Sequence, residues 1–304
     1  MSGVPFTGLT GYTGVEMLKL KAPAKINLTL EALRLRDDGY HEIATVLQTV
    51  DLCDVVTFES ADTLKFECDD PTLSGQDNLV WKAATLLQEE RGVKYGANIH
   101  LQKTIPKAAG LGGGSSDAAT TLKGLNVLWD LGLSLDRLSE LGATLGSDVP
   151  FFIHGGTALA RGRGEQIELL PAAQIPWVVI LYPQIQVATN KTKFLYESLN
   201  QSQFTRGFLT LKLAERIRGH GDIPIELLFN VFDSVAVHAY SDLGVYWDSF
   251  QEFGAPEVHL CGSGPAMFTL FKRHDLALAL RAILNHSRGW TAYLVGPFYP
   301  ENRT

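Results

Sequence analysis

The chain has 304 residues, with 26 Lys and Arg against 33 Asp and Glu, a formal charge of −7 at pH 7. Hydrophobic residues make up 45% and charged residues 19%, which excludes a disordered chain, and the negative balance excludes a general nucleic-acid binder. This length predicts about two domains and a core large enough to hold without disulfides or structural metals. The three cysteines, Cys53, Cys68 and Cys261, form no CxxC and leave an odd count, as expected of a reduced, cytoplasmic chain. No apolar run approaches the ~20 residues of a membrane span. With 29 glycines in 304 residues, glycine exceeds its usual ~7%.

Residues 1 to 16 are rich in Gly and Thr and lack both a basic n-region and an Arg-rich amphipathic pattern, so they read as a disordered leader before Met17. From Lys25, Ile26, Leu28, Leu30 and Ala32 alternate with Asn27, Thr29, Glu31 and Leu33, which predicts a half-buried strand ended by Asp37-Asp38-Gly39. Two further strands are expected over Ile43 to Val50 and Asp54 to Glu59, and a short one near Leu64 to Cys68. Asn78 caps a helix that places Leu79, Ala83, Leu86 and Leu87 on one face, with Gly92 as its stop.

Alternation returns over Asn98 to Gln102, followed by a loop from Thr104 to Gly114 and a helix opened by Ser115-Ser116-Asp117. A second helix, Ser134 to Leu145, leads into Gly146-Ser147-Asp148-Val149-Pro150. After strands near Thr157 to Ala160 and Gln166 to Leu170, a domain boundary is expected near Glu165, with Pro171 and Pro176 bracketing a junction. The second half reads as a strand at Trp177 to Tyr182, helices between Lys191 and Gln251, then strand, helix, strand from Val258 to Leu294. Such alternation predicts a two-layer α+β sandwich.

Chemistry concentrates first in Gly110-Leu111-Gly112-Gly113-Gly114. Glycines ahead of a helix let backbone N–H groups converge, and the helix N-terminus adds partial positive charge, so phosphate is the natural guest. The loop fits none of the common templates: no Lys-Ser or Lys-Thr completes a Walker A motif, Ser115 stands where a dinucleotide fingerprint needs its third glycine, and protein-kinase HRD and DFG signatures are absent. Taken singly, Lys25 would be a solvated lysine, Asp148 a turn or capping aspartate, Tyr40 a turn tyrosine and His41 a surface histidine.

Together they change meaning. Ala22-Pro-Ala-Lys-Ile-Asn-Leu28, Pro106 through Ala119, Gly146-Ser-Asp-Val-Pro150 and Gly262-Ser-Gly-Pro265 resemble, in order, the motifs of the GHMP small-molecule kinases. Within that superfamily, Arg36-Asp-Asp-Gly-Tyr-His-Glu-Ile43 with Gln48-Thr-Val-Asp51 is similar to the signature of the 4-diphosphocytidyl-2-C-methyl-D-erythritol kinases of the non-mevalonate isoprenoid pathway. The resemblance runs from about Leu18 to Pro297. It implies an α+β, two-domain GHMP kinase fold, with a ribosomal-protein-S5-like nucleotide-binding domain over 17–165 and a ferredoxin-like α/β sandwich over 166–304.

It also implies ATP, with Mg²⁺ carried on the nucleotide, and a cytidine-diphosphate sugar alcohol as acceptor, handled by a monomer or weak homodimer with neither nucleic acid nor membrane as partner. Asp148 matches the catalytic aspartate and Lys25 the lysine paired with it, whose charge would keep Asp148 ionised. Pro106, Ala109, Gly110, Leu111, Gly112, Gly113, Gly114, Ser115 and Ser116 match the segment that wraps the ATP phosphates, with Ser115 or Ser116 near the metal. Asn78 and Lys103 match nucleotide-side positions. Tyr40 and His41 match the cytosine site; Asn27, Thr192, Gly262 and Ser263 match the acceptor side. Departures are Lys107-Ala108-Ala109 on the loop flank, Asn190-Lys191 before Thr192, and Cys261, where Ser or Thr is frequent. Two alternatives remain at this level, a GHMP kinase acting on homoserine or a mevalonate derivative and a nucleotide-binding module without chemistry. The anionic substrates must be met locally by Lys25, Lys103 and a helix N-terminus despite the acidic total.

Overall fold

The computed structural model describes residues 17–187 and 190–300, so the expected leader over residues 1 to 16 lies outside the described residues. Strands β1 (Met17–Leu35) and β2 (His41–Ala61) form one long antiparallel hairpin, turned at Asp37-Asp38-Gly39. The two strands expected over 43–50 and 54–59 are a single strand of 21 residues. Asp51 is exposed at its middle, while Leu52 and Asp54 stay buried. β1 follows β2 through a register shift at Pro23/Ala24, where proline lacks a ladder donor.

The first sheet is completed by β3 (Lys65–Cys68), β4 (Gly96–Gln102), β5 (Thr157–Gly162) and β6 (Gln166–Leu169), in the order β3-β4-β2-β1 with the β5-β6 hairpin also on β2. Helices α1 (Leu79–Arg91), α2 (Gly113–Leu128), α3 (Leu135–Leu145) and α4 (Val149–His154) build the core against it. Val56, Phe58, Ile99 and Leu101 of the sheet meet Leu87, Leu122, Leu125 and Phe151 of the helices. Small residues let α2 sink deepest, since a β-carbon on Gly124 would stand 2.4 Å from the Phe58 ring. α2 begins at Gly113, two residues before the expected Ser115, and the Val149-Pro150-Phe151-Phe152 run belongs to the helix α4.

The second half supplies β7 (Trp177–Tyr182), α5 (Lys191–Glu197), α6 (Phe208–Arg218), β8 (Phe229–Asn230), α7 (Asp233–Ala239), α8 (Leu243–Glu252), β9 (His259–Leu260), β10 (Met267–Phe271), α9 (His274–Ser287) and β11 (Thr291–Val295). Its sheet runs β11-β7-β10-β9, every pair antiparallel, with Ala277, Leu280 and Leu284 of α9 packed onto it. The boundary expected at Glu165 falls inside the β5-β6 hairpin, so the chain changes sheet only between Leu169 and Trp177. The glycine-rich turn at 162–164 is closed by strand pairing, and Pro171 and Pro176 lie in the connection between the two sheets.

The half-buried reading of β1 also changes, because both of its faces are covered. Lys25 and Asn27 are 4% exposed, Thr29 0% and Glu31 1%. Glu31 accepts from Thr210 N of α6 at 2.8 Å, the Thr210 hydroxyl bonds Thr29 at 3.0 Å, and β8 pairs in parallel with Thr29 and Leu30. The polar face of β1 is therefore the seam between the two halves. Among the described residues, no helix is long and apolar enough to cross a membrane.

Phe58 tests the depth of the first core. Phe58→Ala is expected to lose about 3–5 kcal/mol of stability in denaturant unfolding; a loss below about 1 kcal/mol would mean that the α2–sheet contact collapses to fill the gap.

Candidate active site

Side-chain alternation shapes the glycine loop. Ala109 and Leu111 are 2% and 1% exposed and join Ile105 in the central core, which leaves Gly110 and Gly112 turned to a cavity of about 790 Å³. Both have positive φ, +85° and +72°. Gly112 is the N-cap of α2 and no side chain caps this end, so the N–H groups of its first turn are left for a ligand. Pro106, Gly113 and Gly114 complete the loop without lining the cavity, and Ser115 does line it. The Ser116 hydroxyl is buried and has no partner among the described residues, as is one Asp117 carboxylate oxygen.

Lys25 enters from β1. Its backbone N–H donates to Leu111 O at 2.9 Å, and its Nζ donates to Asn27 Oδ1 at 2.6 Å. Asn27 in turn donates to the Thr45 hydroxyl at 2.9 Å, so a polar relay fixes the ammonium. The expected ion pair with Asp148 is not formed: Asn27, two residues along the same face of β1, takes the ammonium, and Asp148 faces the same cavity separately. Asp148 occupies the N-cap position of α4 without capping it. Its carboxylate has no protein donor among the described residues, which excludes the capping role the sequence allows.

At the other end of the cavity, Tyr40 is 56% exposed, with the Arg163 guanidinium 4.7 Å from its ring centroid. His41 stacks on Tyr196 at 5.0 Å and meets Phe204 edge-on. Burial lowers the His41 pKa, which leaves a neutral imidazole at pH 7. Thr192 bonds Ser263 hydroxyl to hydroxyl at 2.8 Å, which brings α5 against the Gly262 turn, and all of Thr192, Gly262 and Ser263 line the cavity. Cys261, fully buried behind that turn, has its thiol pushed up to about 12 by burial and is no nucleophile.

Two residues expected at the nucleotide are engaged elsewhere. Asn78 accepts from Val80 N at 2.9 Å and donates to Leu73 O at 2.8 Å, a helix cap tied to the preceding turn. Lys103 is held between Asp54 and Asp117, directly under the loop, where a β-carbon on Gly113 would stand 3.3 Å from its Nζ. Neither lines the cavity. Sequence reasoning missed Arg163, Tyr196 and Lys191, all of which do. Tyr196 had a signal, since it stands four residues after Thr192 and so shares its helical face.

A glycine loop feeding a helix N-terminus, a caged lysine and a free aspartate around one cavity define a small-molecule kinase of the GHMP class, and the model of the GHMP kinases N terminal domain matches residues 78–156. The chain is 44% identical over 284 residues to a 4-diphosphocytidyl-2-C-methyl-D-erythritol kinase of Dehalococcoides mccartyi, covering 93% of this chain and 99% of that protein. It is 40% identical to the protein of the same name from Listeria welshimeri, covering 94% and 99%. A crystal structure of 4-(cytidine 5'-diphospho)-2C-methyl-D-erythritol kinase superposes with a TM-score of 0.78 at 31% identity, over 93% of this chain and all of that one. The chain belongs to the 4-diphosphocytidyl-2-C-methyl-D-erythritol kinase family.

Gly110 is the sharpest geometric demand in the site. A β-carbon there would lie 1.9 Å from Cys261 O and 2.8 Å from Gly264 N. Gly110→Ala is expected to weaken ATP binding by at least about tenfold in a calorimetric titration, through forced displacement of the loop; unchanged affinity would show that the loop can retreat from the turn.

Proposed function

We propose that the protein transfers the γ-phosphoryl group of ATP to the 2-hydroxyl of 4-diphosphocytidyl-2-C-methyl-D-erythritol, giving its 2-phosphate and ADP. The carrying observation is the unpartnered Asp148 carboxylate facing the same cavity as Lys25 and the glycine loop. The acceptor oxygen attacks phosphorus while its proton passes to Asp148, and the bond from phosphorus to the β-phosphate oxygen breaks with its electron pair leaving on ADP. Phosphoryl transfer needs positioning and charge neutralisation more than covalent help. Lys25, fixed by Asn27, supplies one positive charge, and the first turn of α2 supplies backbone donors.

Tyr40, His41 and Arg163 favour a nucleotide-bearing acceptor over homoserine or a mevalonate derivative. An exposed ring beside a guanidinium offers a stacking surface for a base, and a neutral imidazole next to it can bond a base's polar edge. Small acceptors without a base would leave this wall without a ligand. Asn27, Thr192, Gly262 and Ser263 then face the methylerythritol portion of the acceptor.

Mg²⁺ fits this donor set as an ion that arrives on the nucleotide. Ser115 and Asp148, which line the cavity, are oxygen donors of the kind Mg²⁺ prefers, and the buried Ser116 hydroxyl next to Ser115 has no partner among the described residues. Such an ion would neutralise charge on the phosphates, with phosphate oxygens and water as its other ligands.

Asp148→Asn is expected to lower kcat by about 10²–10⁴-fold with ATP affinity within a few-fold of the parent. Turnover that survives this change would remove Asp148 as the base. Tyr40→Ala is expected to raise KM for the cytidine acceptor by about tenfold and leave KM for ATP unchanged, in a coupled ADP-release assay.

A further inference from the structure

Lys191 opens α5 and lines the cavity where the two glycine-bearing turns meet. Its ammonium donates to the carbonyl oxygens of Ala108, on the flank of the glycine loop, and of Gly264, in the turn after β9. Lys25 Nζ stands beside the same turn, 2.7 Å from where a Gly262 β-carbon would be, and its charge is felt at Lys191. Neither lysine has a carboxylate partner among the described residues: Lys25 holds Asn27, and Lys191 holds two carbonyls. Two like charges, Lys25 buried and Lys191 partly buried, with no carboxylate paired to either among the described residues are costly, and an anion brought between them lowers that cost. An ammonium has three donors, and the third of Lys191 has no partner among the described residues.

We propose that Lys191 is a second cation of the phosphoryl-transfer site, directing its remaining N–H to an oxygen of the transferring phosphoryl group while its other two hold the glycine loop and the 261–264 turn together. The proposal rests on the kinase reading above and adds a residue contributed by the second half of the chain. Burial first, and then repulsion from Lys25, draw the Lys191 ammonium down to about 8. The other charged side chains lining the cavity are Asp148 before α4, Lys193 and Glu197 of α5, Asp38 of the β1–β2 turn and Arg163 of the β5–β6 turn; the Cys261 thiol lies behind Lys191 and stays neutral. Loss of the proton from Lys191 therefore removes positive charge as pH rises through about 8 in the free enzyme, and a bound polyanion delays that loss.

The test compares the parent with Lys191→Met and Lys191→Arg. Lys191→Met is expected to lower kcat about 10²-fold. The parent's kcat/KM is expected to fall on the alkaline side near pH 8, and Lys191→Arg to carry that fall to higher pH, because guanidinium stays charged. Tripolyphosphate titrated calorimetrically into the full chain provides a readout free of the acceptor: affinity should drop about tenfold in Lys191→Met, and in the parent between neutral pH and pH 9. An alkaline limb unchanged in Lys191→Arg, or tripolyphosphate affinity in the parent that ignores this pH step, overturns the proposal and leaves Lys191 a clamp between two turns. If Lys191→Met does not fold, those two measurements still decide. A parent that binds tripolyphosphate as described but does not turn over the cytidine acceptor counts against the function reading and not against Lys191.

Discussion

The site depends on one close approach of backbone to backbone. Gly110 lies against Cys261 and Gly264 with no room for a β-carbon, Ala266 N donates to Ala109 O at 3.1 Å, and Lys25 N donates to Leu111 O at 2.9 Å. The glycine loop is thus clamped between β1 and a turn from the second half, while Ala109 and Leu111 anchor it from below. Flexibility is what glycine supplies to a free chain. Here its use is the reverse, a left-handed backbone packed so tightly that the loop has one position. The N-terminus of α2 is aimed into the cavity only in the assembled molecule, because half of the clamp comes from residues 261–266.

Beneath the loop lies the second constraint. Asp54, fully buried, accepts from Thr104 N at 2.5 Å, from Ile105 N at 2.8 Å and from Lys103, which also bonds Asp117 at 2.8 Å. Burial raises the Asp117 pKa, and nearby Asp54 pushes the same way while Lys103 opposes both. Two carboxylates sharing one ammonium hold the strand-to-loop connection by its backbone donors, so the network is part of the loop's foundation. A buried pair of this kind is a poor source of net stability, but removal of one partner leaves an uncompensated charge. Lys103 therefore acts on the glycine loop from beneath, through the connection it helps to hold.

Much of this was legible in the residues. Gly110 and Gly112 of the glycine loop, Lys25, Asp148 and the Tyr40-His41 pair all face the cavity, and each was marked by unusual residue types at a recurring order of motifs. What escaped was long-range. Alternation in β1 gave the right faces but the wrong burial, because Thr210 and β8, about two hundred residues later, cover the polar one. The change of sheet between Leu169 and Trp177 falls at the junction bracketed by Pro171 and Pro176, a little past the boundary expected near Glu165. Lys191 and Arg163 carried no local pattern at all; a cation's role is set by which acceptors the fold leaves near it.

Three helix starts in this chain show why local chemistry alone cannot assign Asp148. Asn78 and Ser134 cap α1 and α3 through bonds to Val80 N and Arg137 N, as their residue types predict. Asp148 stands at the same position of α4 and makes no such bond. Helix α4 does not need it: Val149 through Ile153 are buried in the core, and Lys123 donates to Phe152 O at 3.0 Å near the far end. Packing and a distant lysine hold the helix, which releases the carboxylate to the cavity. The net charge of −7 therefore does not describe the cavity, which sets Lys25, Lys191 and a helix N-terminus against the one lining carboxylate, Asp148, that no protein donor holds among the described residues.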